Sequence, residues 1–550
     1  MRKSKTTQKV TWPAPDTVTK MVPVPTDGWD AISPLALMDP KRAPILDNFI
    51  PRPGWVELRA GYRPYAYCNT NLPVESLMTW RSATTEKLFA ASSTKIFEVT
   101  TPSAPTVVQS GLSSARWQYV NFAPAGSPQR NLLQCVNGLD ALRQYDNISG
   151  WTTPVITFGA LSFTTADIVN IAAQKRRLWY IMKNSTIACF MPTDAFQGAI
   201  AGSLDLGAVW VKGGFIVAMA NWTIDGGNGP QDYAVFISSR GQLTIYAGTD
   251  PTNSSTWSLV GTFDVSPPVS YRCLLRVGSD VGIITMQGVL PLSQALPFDP
   301  SADRSVSITS RIQNAMASAM TIAQNNFGWQ LISFPAQQLA ILNVPLTENM
   351  NQVQFVMNAL NGAWCRFTGW NANCFEIFNE SLYFGGNDGY VNLAYESGLD
   401  GVSSIIADMQ CAFNYFEDPG RTKRMTMVQP LIIASGSLSP TISVDTDFQS
   451  STSVASISLI QGGASWDSAV WDLNTWPEPT VSVTDWLSAQ GIGHAMAVRM
   501  KINVATPSQI TNAEFDLALF DSATFDVGVG DAPILQINAF NAILEFGGFI

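Results

Sequence analysis

A single histidine limits the chemistry open to this 550-residue chain. His494 stands in the apolar phrase Gly491-Ile-Gly-His-Ala-Met496. One histidine cannot form a multi-histidine metal site within a subunit, and a Ser-His-Asp triad would rest wholly on it. No serine sits in a GxSxG elbow, and no glycine-rich loop ending in Lys-Ser/Thr is present to cradle phosphate. His494 is therefore expected to be a hydrogen-bonded structural residue. Paired carboxylates, the tools of glycoside hydrolysis, occur as Glu417-Asp418 and as Asp445 with Asp447. The first pair lies in Glu-Asp-Pro-Gly420, a turn in which Asp caps its own backbone. The second pair alternates on a strand and shares a face, but two carboxylates fall short of the six or more oxygens calcium takes. No catalytic, cofactor or metal site is expected from these residues.

Seven cysteines (68, 135, 189, 273, 365, 374, 411) lie far apart without a CxxC pair, which excludes a zinc ribbon or a redox motif. They read as buried thiols of a protein assembled in a reducing cytoplasm. The basic clusters Lys175-Arg176-Arg177 and Arg421-Thr-Lys-Arg424 are short, and the chain carries a net charge of −10. That is the reverse of a phosphate-neutralising binder, so sequence-specific nucleic-acid binding is not expected.

The elements that would hold such residues are strands. Hydrophobic residues make up 46% and charged residues only 13% of the chain, about half the ~25% usual for soluble domains. A surface so poor in charge points to a permanent assembly. A phrase of strand, turn and strand recurs, as in Lys87–Val99, Arg177–Phe190, Tyr233–Tyr246, Tyr271–Met286, Trp329–Val344 and Ser381–Val391, with a weaker copy in Leu132–Tyr145. The turn Asn387-Asp388-Gly389 is a hairpin signal, because Asn and Gly accept positive φ cheaply. The marks Leu88, Leu132, Leu178, Ala234, Leu274, Leu331 and Leu382 recur at roughly 40–57 residues, the scale of propeller blades with insertions. One blade cannot bury both its faces alone, whereas a closed ring buries all but the outer edges. The expected fold is all-β: a β-propeller of about six blades over 31–400, with a β-sandwich array as the competing architecture.

Within it one helix is expected near 305–326. Ser305 and Ser307 are N-cap candidates, and Ile308, Ile312, Ala315, Met316, Ala319 and Ala323 form one apolar face. The residues from 401 to 550 change texture to Ser/Thr/Val-rich strands and read as an additional C-terminal β domain whose last strand could close the ring. Residues 1–30 read as a Pro-rich basic arm bearing Arg2, Lys3, Lys5 and Lys9. The polar start gives no secretory signal, and no apolar stretch is long enough for stable membrane insertion.

Charge is unevenly spread. Residues 1–347 hold 26 Lys+Arg against 21 Asp+Glu, and residues 348–550 hold 6 against 21. Such asymmetry suggests a charged partner or a charged channel.

The segment Ala36-Leu-Met-Asp-Pro-Lys-Arg-Ala-Pro-Ile-Leu-Asp-Asn-Phe-Ile-Pro-Arg-Pro-Gly-Trp-Val-Glu-Leu-Arg-Ala-Gly-Tyr62 resembles the opening of the tail nozzle, or packaged-DNA stabilisation, proteins of short-tailed phages. Similar phrases follow in the same order: Trp329-Gln-Leu-Ile-Ser-Phe334 with Asn361-Gly-Ala-Trp364 and Leu382–Gly389, then Phe413–Lys423, then the terminus Glu545-Phe-Gly-Gly-Phe-Ile550. The run Asn361-Gly-Ala-Trp-Cys-Arg366 departs from the more polar run of many relatives, which leaves the subtype open. The resemblance implies a virion protein, assembled in host cytoplasm, that forms a hexameric ring below the adaptor ring, beside tail fibre, spike or needle proteins. Genomic DNA would pass through without sequence-specific binding. In that setting the arm would contact the adaptor, and Asp388, Glu396, Asp400, Asp445 and Asp447 are expected to line an acidic lumen that repels DNA at short range. Two other classes fit the fold: a receptor-binding or lectin-like propeller, and a sialidase-like hydrolase. The second would need an arginine cluster on the propeller axis, and the Asp-box-like turns Thr223–Gly227 and Thr524–Gly528 lack the closing aromatic.

Overall fold

The computed structural model describes residues 17–102, 105–126, 128–225, 230–277, 280–295, 307–435, 438–457, 481–504 and 533–549. Seven innermost strands stand side by side around one axis: Val74–Arg81, Gln118–Phe122, Ile168–Gln174, Ile216–Asp225, Leu274–Val277, Gln330–Phe334 and Cys374–Phe378. Each touches the next, and the last touches the first. The chain is a β-propeller.

Six of these strands open four-stranded blades. Blades one to four run in chain order from Val74 to Asp264. Blade five is Gln330–Phe334, Leu339–Thr347, Asn351–Asn358 and Trp364–Phe367. Blade six is Cys374–Phe378, Ser381–Gly385, Tyr390–Ser397 and, from the other end of the chain, Gly61–Tyr67. Between blades four and five the strands Leu274–Val277, Asp280–Thr285 and Gly288–Pro291 form a three-stranded unit that completes the ring. Each of the seven recurring phrases thus accounts for one radial sheet. Their spacing is uneven partly because the marks at Leu274 and Leu331 fall on innermost strands and the other five on second strands. The second strands read as apolar runs, since neighbouring blades cover both faces: Leu132–Val136 is buried throughout, as is Arg177–Met182 apart from Arg177. Tryptophans fill the gaps between blades. Trp179 of blade three stacks on Trp257 of blade four at 5.7 Å, and Trp257 on Tyr246 at 5.6 Å.

A 3₁₀ turn, Ser310–Ile312, leads into the helix Gln313–Ala323, which packs on blade five and on the three-stranded unit. Met316, Ala319, Met320 and Ala323 form its buried face. Ser307 does not cap it. Its hydroxyl donates to the Val289 carbonyl and shares a 2.7 Å bond with Thr309, tying the segment to the three-stranded unit before the helix begins.

The domain boundaries expected from composition need correction. The blades span 61–397, and the stretch 17–58 joins the C-terminal region instead. Outside Trp364–Phe367 of blade five, the strands Ile45–Asp47, Ile406–Gln410, Met496–Asn503, Thr441–Thr446 and Val454–Ser456 extend the blade into a nine-stranded sheet. A second sheet holds Phe49–Arg52, Trp55–Leu58, Leu535–Phe549, Arg421–Ala434 and Val481–Val483, with Thr17–Pro23 paired to the last strand and Gly491–Gly493 to Arg421–Ala434. Buried residues of both sheets and of blade five belong to one continuous core. The final strand therefore does not close the propeller. Gly61–Tyr67 does, by pairing with Tyr390–Ser397, and Leu535–Phe549 is held among Thr17–Pro23, Trp55–Leu58 and Arg421–Ala434. A 15-residue strand with long antiparallel partners on both edges leaves no edge to offer a blade.

Candidate functional site

Two places concentrate polar side chains: the propeller axis, and the junction between the propeller and the sandwich that the second sheet forms with the outer strands of the nine-stranded sheet. The axis is not an open tunnel. Arg272, just ahead of Leu274–Val277, reaches across it to blades one and two. Its Nη2 donates to the Glu75 carbonyl at 3.2 Å, the Ser76 hydroxyl at 2.7 Å and the Trp117 carbonyl at 3.0 Å. Phe327, in the loop after the helix, lies against this strut, with the guanidinium carbons of Arg272 and Arg116 at 4.9 and 4.4 Å from its ring centre. Arg116 is neutralised by Glu75 at 3.0 Å and Glu348 at 2.5 Å. Burial pulls the Arg272 pKa down, against the opposing pull of nearby Glu75 and Glu376.

On one side of the strut lies a cavity of about 440 Å³ whose wall includes residues of all seven innermost strands. On the other side a recess of about 370 Å³ is bordered by Lys183, Asn326 and Phe327. In the larger cavity Tyr119 donates a 2.6 Å hydrogen bond to Glu376. Burial raises the Glu376 carboxyl to about 7, against the opposing pull of the Tyr119 bond and of Arg81. Burial and the adjacent carboxylate push Tyr119 well above the usual phenol range. Sequence reasoning missed this set. Tyr119 and Glu376 are 257 residues apart, and no spacing rule links them.

The junction is a buried polar hub. Arg59 and Asp400 form a bidentate pair at 2.8 and 2.6 Å, with side chains 0% and 5% exposed. Arg59 also donates to Asn48 Oδ1 at 2.8 Å and to the carbonyls of Thr368 at 2.6 Å and Ala60 at 3.0 Å. The Trp370 indole donates to Asp400 at 3.2 Å, and the guanidinium packs over Trp370 and Phe367. Asn48 sits at φ 60° and bonds Thr368 and the Ile406 carbonyl, so it ties blade five to the sandwich. Gly61 must be glycine, because a Cβ there would lie 1.9 Å from the Leu399 carbonyl oxygen. Asn48 and Arg59 of the opening phrase from Ala36 to Tyr62 are thus structural ties.

The five acids expected in a lumen divide. Asp400 and Asp445 are buried and cannot face one, which corrects those two positions. Asp400 belongs to the hub. Asp445 accepts from Gln410 at 2.6 Å and the Ser451 amide at 2.8 Å, with Arg499 at 3.6 Å. Asp388 and Glu396 are exposed but sit on the outer half of blade six, away from its innermost strand. Asp447 lies past the end of its strand at φ 48° and accepts from the His494 and Ala495 amides at 2.8 and 3.0 Å. It therefore does not share a ligand face with Asp445, and no metal-binding cluster occurs among the described residues. His494 is about one-third exposed, not sunk in an apolar setting, and its ring makes two long contacts, 3.5 Å to the Thr422 hydroxyl and 4.0 Å to the Asp447 carboxylate. Glu417-Asp418 forms the expected turn, and the Asp418 carbonyl, with those of Arg421 and His494, wraps the buried Lys423 ammonium.

Lys175, Arg176 and Arg177 pair with Asp232, Asp194 and Asp250, so this cluster is neutralised in place. Arg2, Lys3, Lys5 and Lys9 lie outside the described residues. Lys20 is held in the second sheet opposite Ala542 and pairs with Glu417 at 3.2 Å. All seven cysteines are buried and free. No helix among the described residues is long and apolar enough to cross a membrane.

Fold and sites together define a large β-propeller carrying a β-sandwich built from both ends of the chain. No family model and no curated protein matches the sequence. Among solved structures it is similar to the extracellular domain of the putative one component system BT4673 from B. thetaiotaomicron, at 9% identity and TM-score 0.40. That match covers 79% of this chain and 62% of the other, so the chain spans less than two thirds of that structure's length. Chaetomium thermophilum Raptor matches at 8% identity and TM-score 0.37, over 61% of this chain and 29% of that one.

Proposed function

We propose that this chain is a structural, non-catalytic subunit of a short-tailed phage tail: a nozzle protein that assembles as a hexameric ring below the adaptor ring, retains packaged DNA and conducts it during ejection. The observation that carries this reading is the ordered set of phrases resembling that family. Phrases far apart in sequence are neighbours in space, which supports reading them as one framework. Asp47 of the first phrase pairs with Arg366, next to Asn361–Trp364. Lys423 of the third phrase pairs with Phe546 of the terminal one. The charge content of 13% supports a surface largely covered by neighbours. Of the acids proposed to face a ring lumen, the exposed Asp388, Glu396 and Asp447 remain. The arm of Arg2, Lys3, Lys5 and Lys9 is proposed to dock on the adaptor.

Native mass spectrometry of the purified chain, alone and with its adaptor, tests this reading. The expected particle weighs six times 59.6 kDa. A stable monomer or trimer under both conditions overturns it and favours the receptor-binding propeller, the reading that the polar axial cavity would serve.

A further inference from the structure

The larger axial cavity is a cup. The Arg272 strut closes its floor, with Phe327 behind, while its wall extends to Arg81, Ser333 and Ile377 near the far ends of the inner strands. A polymer cannot thread a closed floor, so only a small molecule or the end of a chain can enter. The volume of about 440 Å³ lies within the ~300–1,000 Å³ typical of small-molecule sites.

The charges around the cup are answered within the chain. Arg81 pairs with Glu86 at 3.4 Å and donates to the Ile377 carbonyl at 2.9 Å. Arg272 is spent on its three acceptors, with Glu75 close by. Glu376, which faces Tyr119, Thr79 and Arg81, is the remaining charged group in the wall. Neither a cation nor an anion therefore finds a strong unpaired counter-charge.

What remains is neutral polarity without partners. Among the described residues, the Gln118 carboxamide and the Ser333 hydroxyl make no hydrogen bond within the chain; Ser333 lines the cup, and Gln118 stands at its floor, where it also borders the recess behind. The Glu376 carboxyl, close to half-protonated at neutral pH, can donate as well as accept. Between these groups lie apolar patches of Leu77, Ile171, Leu275 and Ile332. A pyranose presents both surfaces, a rim of hydroxyls that donate and accept and a face of C–H bonds.

We propose that the axial cup is a binding site for one neutral sugar residue, entering as the terminal unit of a glycan. This goes beyond the structural role in the tail and stands or falls separately from it.

Saturation-transfer NMR on the full chain would use methyl glycosides of neutral hexoses and N-acetylhexosamines, with methyl glucuronide and glucosamine as charged counterparts. A disaccharide blocked at its non-reducing end separates a terminal sugar from an internal one. The expected result is transfer from at least one neutral glycoside and none from the blocked disaccharide. Gln118→Leu should weaken binding about tenfold, the ~1.4 kcal/mol of one lost hydrogen bond. Gln118→Trp should fill the cup and abolish it. Both variants should keep the wild-type melting temperature and ring mass. No transfer from any neutral glycoside, binding only of charged sugars, or binding untouched by Gln118→Trp would each overturn the proposal. A failed ring in the wild type would overturn the nozzle reading instead.

Discussion

Replacing Asp400 with Ala should be among the most damaging single substitutions in this protein. The change leaves the Arg59 guanidinium buried at 0% exposure with only the Asn48 side chain and two carbonyls as acceptors. It removes two charge-assisted bonds at 2.6 and 2.8 Å and orphans the Trp370 indole. Breaking a buried pair from one side costs about 3–5 kcal/mol, because the surviving charge is left uncompensated. Removing both partners, as Arg59→Met with Asp400→Leu, should cost clearly less than the sum of the single changes, because no stranded charge remains. Urea denaturation followed by tryptophan fluorescence reads the loss, and Trp370, packed against the guanidinium, reports it locally. Because the hub links blade six, blade five and the sandwich, the transition should shift and also split, with the sandwich parting from the propeller first. A carboxylate facing a water-filled lumen would behave as a surface residue, within about 0.5 kcal/mol of wild type. That outcome would refute the reasoning.

Glu376 gives a pH signature. Its folded carboxyl titrates near 7 against a free value of 4.5, so the stability it contributes is full below the free value and is lost as pH rises through 7. Glu376→Gln should therefore gain on wild type between pH 4.5 and 8, on the order of 3 kcal/mol, in thermal melts across that range; parallel pH curves for the two proteins would contradict this. Burial pushes Cys68, Cys189, Cys273, Cys374 and Cys411 up to about 12 and raises Cys135 and Cys365 as well. Ellman's reagent at pH 8 should accordingly find almost no thiol in the native protein and seven after denaturation. Arg272→Met should open the floor of the axial cup and destabilise the neighbouring three-stranded unit. The expected readouts are faster hydrogen exchange in Leu274–Val277 and little change in blade three, which the strut does not touch by a hydrogen bond.

Local sequence determined the repeating unit. Apolar strands flanking turns such as Asn387-Asp388-Gly389 declare themselves within a dozen residues, because hairpin formation and two-faced burial are short-range demands. Buried cysteines and a helix with one apolar face were legible for the same reason. Tertiary structure alone decided which strand closes the ring. Gly61–Tyr67 and Leu535–Phe549 are both plausible as strands, and only the pairing of Tyr390–Ser397 with the former settles it. It also decided the fate of the charges. Asp400 and Asp388 look alike in sequence, twelve residues apart and both in polar turns. One meets Arg59 from 341 residues away and is buried, while the other caps the Tyr390 amide in solvent. Charge composition counts carboxylates but does not place them, since a carboxylate's environment is set by whichever distant strand folds against it. The Tyr119–Glu376 pair and the Arg272 strut are hidden for the same reason: they span the propeller axis, where residues from different blades meet only once the ring has closed.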